Sequence, residues 1–107
     1  MDYAALVTAI GNALTQLDTV LTSSALNNQP AQWQQLYALR KHLDDQQRAF
    51  VQQSIASDNA AFQALANSIQ AATNTLNQEI KAMNQIDSII TVVSQISANL
   101  DQVLKLV

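Results

Sequence analysis

The sequence predicts an all-α protein, a small antiparallel helical bundle of three to four helices with coiled-coil-like packing. Three observations carry that prediction. The first is an apolar seam through the last 46 residues. Read in steps of three and four, it runs Phe62, Leu65, Ile69, Ala72, Leu76, Glu79, Met83, Ile86, Ile90, Val93, Ser97, Leu100, Leu104 and Val107, and only Glu79 and Ser97 break it. A period of about 3.5 residues keeps one stripe of a helix against a partner helix along its whole length. The second is punctuation: the chain holds one glycine, Gly11, and one proline, Pro30, so nothing strongly interrupts a helix after residue 30. The third is size, because 107 residues at 49% hydrophobic content form one domain, residues 1–107, able to bury roughly two-thirds of its unfolded surface.

The first helix is expected to begin near Asp2, whose carboxylate can accept from the free N–H groups of the first turn. Tyr3, Val7, Ile10, Leu14, Leu17 and Leu21 form its stripe, and Leu6 and Val20 widen it. Gly11 lies inside this stripe at a cost of about 1 kcal/mol in helix propensity; a neighbouring helix passing close by would account for it. Residues 22–30 end the helix, with Asn27 and Asn28 suited to a left-handed cap and Pro30 to the first position of the next helix. That second helix carries Trp33, Leu36, Tyr37, Leu39, Leu43, Phe50, Val51 and Ile55. Trp33 and Tyr37, one turn apart, either plug the end of the bundle or stand exposed as an anchor for a partner. The chain's charge cluster, Arg40 to Arg48, reads as a solvated face with pairs Arg40–Asp44, Lys41–Asp45 and Asp44–Arg48.

Ser57-Asp58-Asn59 favours a break, since all three side chains prefer caps and turns. Met83 to Asp87 is a weaker candidate. With both breaks the pieces are 2–26, 31–56, 59–82 and 87–107, similar enough in length to close as an up-down-up-down bundle with short loops. With the first alone, a three-helix form ends in one helix of nearly 50 residues, about 70 Å long. The seam keeps phase through 83 and 86, which favours continuity, but so long a helix is unusual in a small domain. We expect the closed four-helix form. The last segment carries two stripes, Ile86, Ile90, Val93, Leu100, Leu104 and Ile89, Val92, Ile96, Val103, which suits a helix touching two neighbours.

Composition narrows the function. Five Lys and Arg against eight Asp and Glu, with the bases interleaved among Asp44 and Asp45, argue against nucleic acid, which needs unopposed cations on one face. The absence of cysteine removes disulfide and thiolate chemistry. Met1-Asp2-Tyr3 lacks the basic start of a Sec signal peptide. The best membrane candidate, Ile86 to Val107, contains Asp87, Asp101 and Lys105, so no transmembrane segment is expected. That leaves the compartment open between the cytoplasm and export by a non-Sec route.

No constellation for catalysis stands out. His42 is the lone histidine, three before Asp45, and neighbouring Asp44 and Asp45 point about 100° apart on a helix. Glu79 is the lone glutamate, which excludes a four-glutamate metal bundle. No catalytic, cofactor-binding or metal-ligating residue is assigned and no cofactor is expected. Glu79, on the seam, could fix helix register or lie at its edge. Only 12% of residues are charged, and amides and hydroxyls replace the rest, a composition that resembles bacterial secreted and filament-forming helical proteins. The expected function is therefore a non-enzymatic structural or protein-interaction module, binding a protein partner or a second copy of itself through a helical face. The candidate contact residues are Trp33, Tyr37, Ile86, Ile90, Val93 and Leu100. The alternative is a membrane-active protein that inserts its C-terminal amphipathic helix.

Overall fold

A computed structural model describes residues 3–23, 28–52, 59–82 and 86–106, apart from the side chains of Tyr3 and Ala82. The chain is a four-helix bundle: α1 (Tyr3–Leu21), α2 (Pro30–Val51), α3 (Ala60–Ala82) and α4 (Ile86–Leu104). Expected features at Asp2, Asn27, Ser57, Asp58, Met83, Asn84 and Val107 lie outside the described residues.

Local chemistry sets the boundaries. The end of α1 leaves carbonyls without intrahelical partners. The Thr22 hydroxyl donates to Asp18 O at 3.0 Å and the Ser23 hydroxyl to Val20 O at 2.7 Å. Pro30 opens α2 at a position where its missing N–H costs nothing. Asn59 caps α3, its Oδ1 accepting from Phe62 N–H at 3.1 Å. Lys81 in the last turn of α3 and Asp87 in the first turn of α4 complement the helix dipoles.

The helices alternate in direction, but their arrangement is not the simple ring of sequential neighbours. Trp33 reaches Leu21 at one end of the α1/α2 pair and Gln47 reaches Val7 at the other, so these two are antiparallel. Phe50 and Phe62 stack at 6.4 Å, placing the end of α2 and the start of α3 at the same end of the bundle. Among the described residues α1 packs on α2 and α3, and α4 packs on α3 and α2. The ring order is therefore α1–α2–α4–α3. The α2-to-α3 connection joins diagonal helices, and α1 with α3 and α2 with α4 are parallel neighbours.

The core keeps about half the places of the expected stripes, Ile10, Leu14 and Leu17 in α1 and Phe62, Ile69 and Leu76 in α3, and takes the others one position aside. In α3 the buried series is Phe62, Ala66, Ile69, Thr73, Leu76 and Ile80, while Leu65, Ala72 and Glu79 are half-buried along its edge. Thr73 enters the core because its hydroxyl donates to Ile69 O at 2.8 Å. Glu79 thus stands beside the core, and Ile80 takes the interior place. In α1 the buried set is Leu6, Ala9, Ile10, Ala13, Leu14, Leu17 and Val20, with Val7 and Leu21 at the margin. Gly11 is half-buried where Gln47 of α2 crosses: Gln47 Nε2 donates to Val7 O at 3.2 Å.

α4 packs on two neighbours, α2 and α3, as expected from its two stripes. Ser97, on the first, bonds α2. The second stripe runs along the side nearer α3, where Gln95 and Asn99 line a groove shared with Ser68 and Ala72. Among the expected ion pairs, Arg40–Asp44 (4.0 Å) and Arg48–Asp44 (3.1 Å) form. Lys41 and Asp45 form none. Arg40 instead makes its closest contact with Asp18 of α1, at 2.9 and 3.2 Å through two nitrogens, because the guanidinium fork matches a carboxylate better than a neighbouring turn allows.

Candidate functional site

Four of the six candidate contact residues belong to the last helix, and the bundle itself takes most of them. Val93 and Leu100 are wholly buried, Ile90 is nearly so, and Ile86 is half-buried. Their apolar area is spent on folding, since a side chain already out of water has little left to give a partner.

Trp33 and Tyr37 are different. They lie on the edge of α2 that borders α1, 37% and 49% exposed respectively, which for large aromatic rings leaves a substantial apolar surface open. Their rings stack face to face, 5.2 Å between centroids and 8° from parallel. Trp33 is also anchored: its indole N–H donates to Leu21 O at 2.9 Å, satisfying a carbonyl at the end of α1. Trp33 therefore closes the end of the α1/α2 pair and is still partly exposed. Its polar edge ties the α1/α2 hairpin shut while its ring carries Tyr37 at the surface. A tethered ring has little rotamer freedom left to lose on contact, which favours binding. Among the described residues Val51, 53% exposed, is the third large apolar side chain at the surface, and it lies at the opposite end of α2.

Other places offer less chemistry. His42 and Asp45 are both exposed and, among the described residues, form no ion pair. Among the described residues no group of three His, Cys, Asp or Glu side chains could hold a metal ion. An open groove of about 470 Å³ runs between α3 and α4, lined by Ser68, Ala71, Ala72, Thr75, Gln95, Ala98 and Asn99, with no titratable group in its walls. The most apolar helix is α1 rather than the C-terminal one. Ala4–Leu21 is long and apolar enough by length and composition to cross a membrane, with 39% of it buried in the bundle.

Sequence reasoning missed one cluster. Gln46 of α2 is 4% exposed and Ser97 of α4 is 6% exposed, and they exchange hydrogen bonds. Gln46 Nε2 donates to Ser97 O at 3.0 Å and to Asp101 Oδ1 at 2.5 Å, and Ser97 Oγ donates to Gln46 Oε1 at 2.9 Å. The signal was present: Leu36, Leu39, Leu43, Gln46 and Phe50 follow the same three-four spacing as the α4 seam, with the amide at one of its places.

The chain matches no protein-family model, and no significant similarity links it to a curated protein or to a solved structure.

Proposed function

We propose that the protein is a non-enzymatic helical interaction module that meets a protein partner through the outer edge of α2, with Trp33 and Tyr37 as anchors. The carrying observation is the stacked aromatic pair held exposed by the indole bond to Leu21. Aromatic side chains fixed at a surface are what interface hot spots are made of. The bundle beneath supplies rigidity, with Ile90, Val93 and Leu100 holding α4 in place. A second copy of the chain is the first partner to test, by light scattering coupled to size exclusion over a wide concentration range. A dimer that Tyr37→Ala returns to monomer supports self-association through this edge. An 11.6 kDa species at every concentration, with Trp33 emission unmoved, removes self-association from the proposal.

A second reading is contact with a bilayer, and α1 rather than the C-terminal helix supports it. The α1 hydroxyls of Thr8, Thr15 and Thr19 donate to their own helix at 3.0, 3.1 and 3.2 Å, which is how hydroxyls are accommodated away from water. Trp33 reports on it, because α1 leaving the bundle breaks the indole bond to Leu21. Dye leakage from anionic vesicles with a lipid-induced blue shift of Trp33 emission supports the reading, and silence in both removes it.

A further inference from the structure

We propose that the buried pair Gln46 and Ser97, with Asp101 at its exposed rim, is a lock that selects α4 as the neighbour of α2 and fixes the register of that parallel pair. The lock acts within one chain and holds whether or not the aromatic edge of α2 meets a partner.

The argument starts from degeneracy. The α2 seam (Leu36, Leu39, Leu43, Gln46, Phe50) and the α4 seam (Ile86, Ile90, Val93, Ser97, Leu100, Leu104) share one spacing. Sliding one past the other by seven residues restores the apolar pattern, so apolar contact alone distinguishes the registers weakly. The polar places remove the ambiguity. In the observed register the one amide in the α2 seam meets the one hydroxyl in the α4 seam. A slip of seven residues sets Gln46 against Ile90 or Leu104, where a backbone carbonyl can still accept from its nitrogen but no hydroxyl donates to its oxygen. An unpaired buried amide oxygen disfavours that arrangement by roughly ten- to a hundred-fold.

The hydroxyl chemistry points the same way. Thr8, Thr15, Thr73 and Thr91 bond back to carbonyls of their own helices, whereas Ser97 reaches across to Gln46. The Gln46 amide is served on both sides, its oxygen accepting from Ser97 and its nitrogen donating to Ser97 O and Asp101. Facing α3 it would find Thr73, whose hydroxyl proton is already given to Ile69 O, so the Gln46 oxygen would lack a donor there. The same layer therefore discriminates between partner helices as well as between registers.

The test replaces the layer by aliphatic side chains, Gln46→Leu with Ser97→Ala, and reads arrangement rather than stability alone. The chain has no cysteine, so Lys41→Cys and Lys105→Cys accept nitroxide labels on exposed positions, one in α2 and one in the turn that follows α4. A slip of seven residues moves the two labels about 10 Å relative to each other along the axis. The lock predicts one narrow distance with Gln46 and Ser97 in place. Without them it predicts a folded helical protein with a second distance or a concentration-dependent larger species. A single unchanged distance on a monomer would overturn the proposal, since apolar packing would then suffice. A variant that loses its helical signal altogether would also overturn it, because the layer would be supporting the fold rather than choosing among arrangements.

Discussion

Replacing Gly11 by alanine separates two explanations of why a glycine stands in the middle of α1. In an α-helix the carbonyl of residue 7 points toward residue 11, and here Gln47 Nε2 donates to that carbonyl at 3.2 Å. A Cβ at position 11 would lie 3.5 Å from Gln47 Nε2, an ordinary van der Waals contact. Among the described residues no other neighbour stands in its way. Alanine should therefore gain its helix propensity, about 0.8–1 kcal/mol, without displacing the amide. Even a weakened Gln47 bond would return only part of this, since such a bond contributes about 0.5–1.5 kcal/mol net. The expected result is a stabilisation of about 0.5–1 kcal/mol, or roughly 2–5 °C in the thermal midpoint. Urea titration followed by circular dichroism, with an unchanged slope, measures it. Gln47→Ala alone and with Gly11→Ala completes a double-mutant cycle whose coupling should be near zero. A loss of stability beyond about 0.5 kcal/mol in Gly11→Ala, accompanied by strong coupling to Gln47, would refute the reasoning. It would mean that the helices need the bare backbone at this crossing.

Three further outcomes follow from the same packing. Phe50→Ala empties the diagonal contact with Phe62, both rings being wholly buried, and should cost about 3–5 kcal/mol in the same titration; a cost under about 1 kcal/mol would mean the end of the bundle collapses freely. Trp33→Phe keeps a ring over Tyr37 but removes the donor to Leu21 O, so a loss of about 0.5–1.5 kcal/mol is expected, and no change would show that water caps α1 equally well. Val93→Asp puts an unpaired carboxylate into the wholly buried centre of α4 and should abolish the cooperative transition, whereas a folded variant would show that α4 can turn that face outward.

How legible the fold was depends on which residues made each interface. In α4, β-branched and leucine side chains line both contact faces, so the two stripes and the two neighbours could be read directly. In α1 and α3 the buried faces include Ala9, Ala13, Ala66 and Thr73, whose hydropathy is too weak to mark a face, and neighbouring residues such as Val7, Leu21, Leu65 and Ala72 took some of the expected places although they lie at the margin. In α2 the inward Gln46 carries the pattern of a surface residue, because burial of an amide is stabilised only by partners on a distant helix. Of the candidate site, the aromatic pair was legible from residue type and spacing. The tie to Leu21 was not, since its acceptor is a backbone carbonyl that every residue possesses. Ring order was also hidden: the same helix lengths and connections serve sequential and diagonal closure alike.

The observed ring order carries a cost that the sequential one avoids. Sequential closure makes every neighbouring pair antiparallel, whereas here α1 lies parallel to α3 and α2 parallel to α4, with like dipole ends side by side. Each parallel interface has its own compensation. The side of α1 opposite its α2 contacts presents Ala9, Ala13 and Val20, and the side of α3 opposite the α4 groove presents Ala66 and Thr73, small side chains that let parallel helices approach. Between α2 and α4 the compensation is the Gln46–Ser97–Asp101 layer. The antiparallel α1/α2 pair is held by different means, the indole bond to Leu21 and the Arg40–Asp18 contact across exposed surface. That ion pair is partly open to solvent and contributes little to stability. Specificity in this bundle therefore resides in its two parallel interfaces, where small residues set approach and one buried amide sets alignment, and perturbing either should scramble the arrangement before it unfolds the chain.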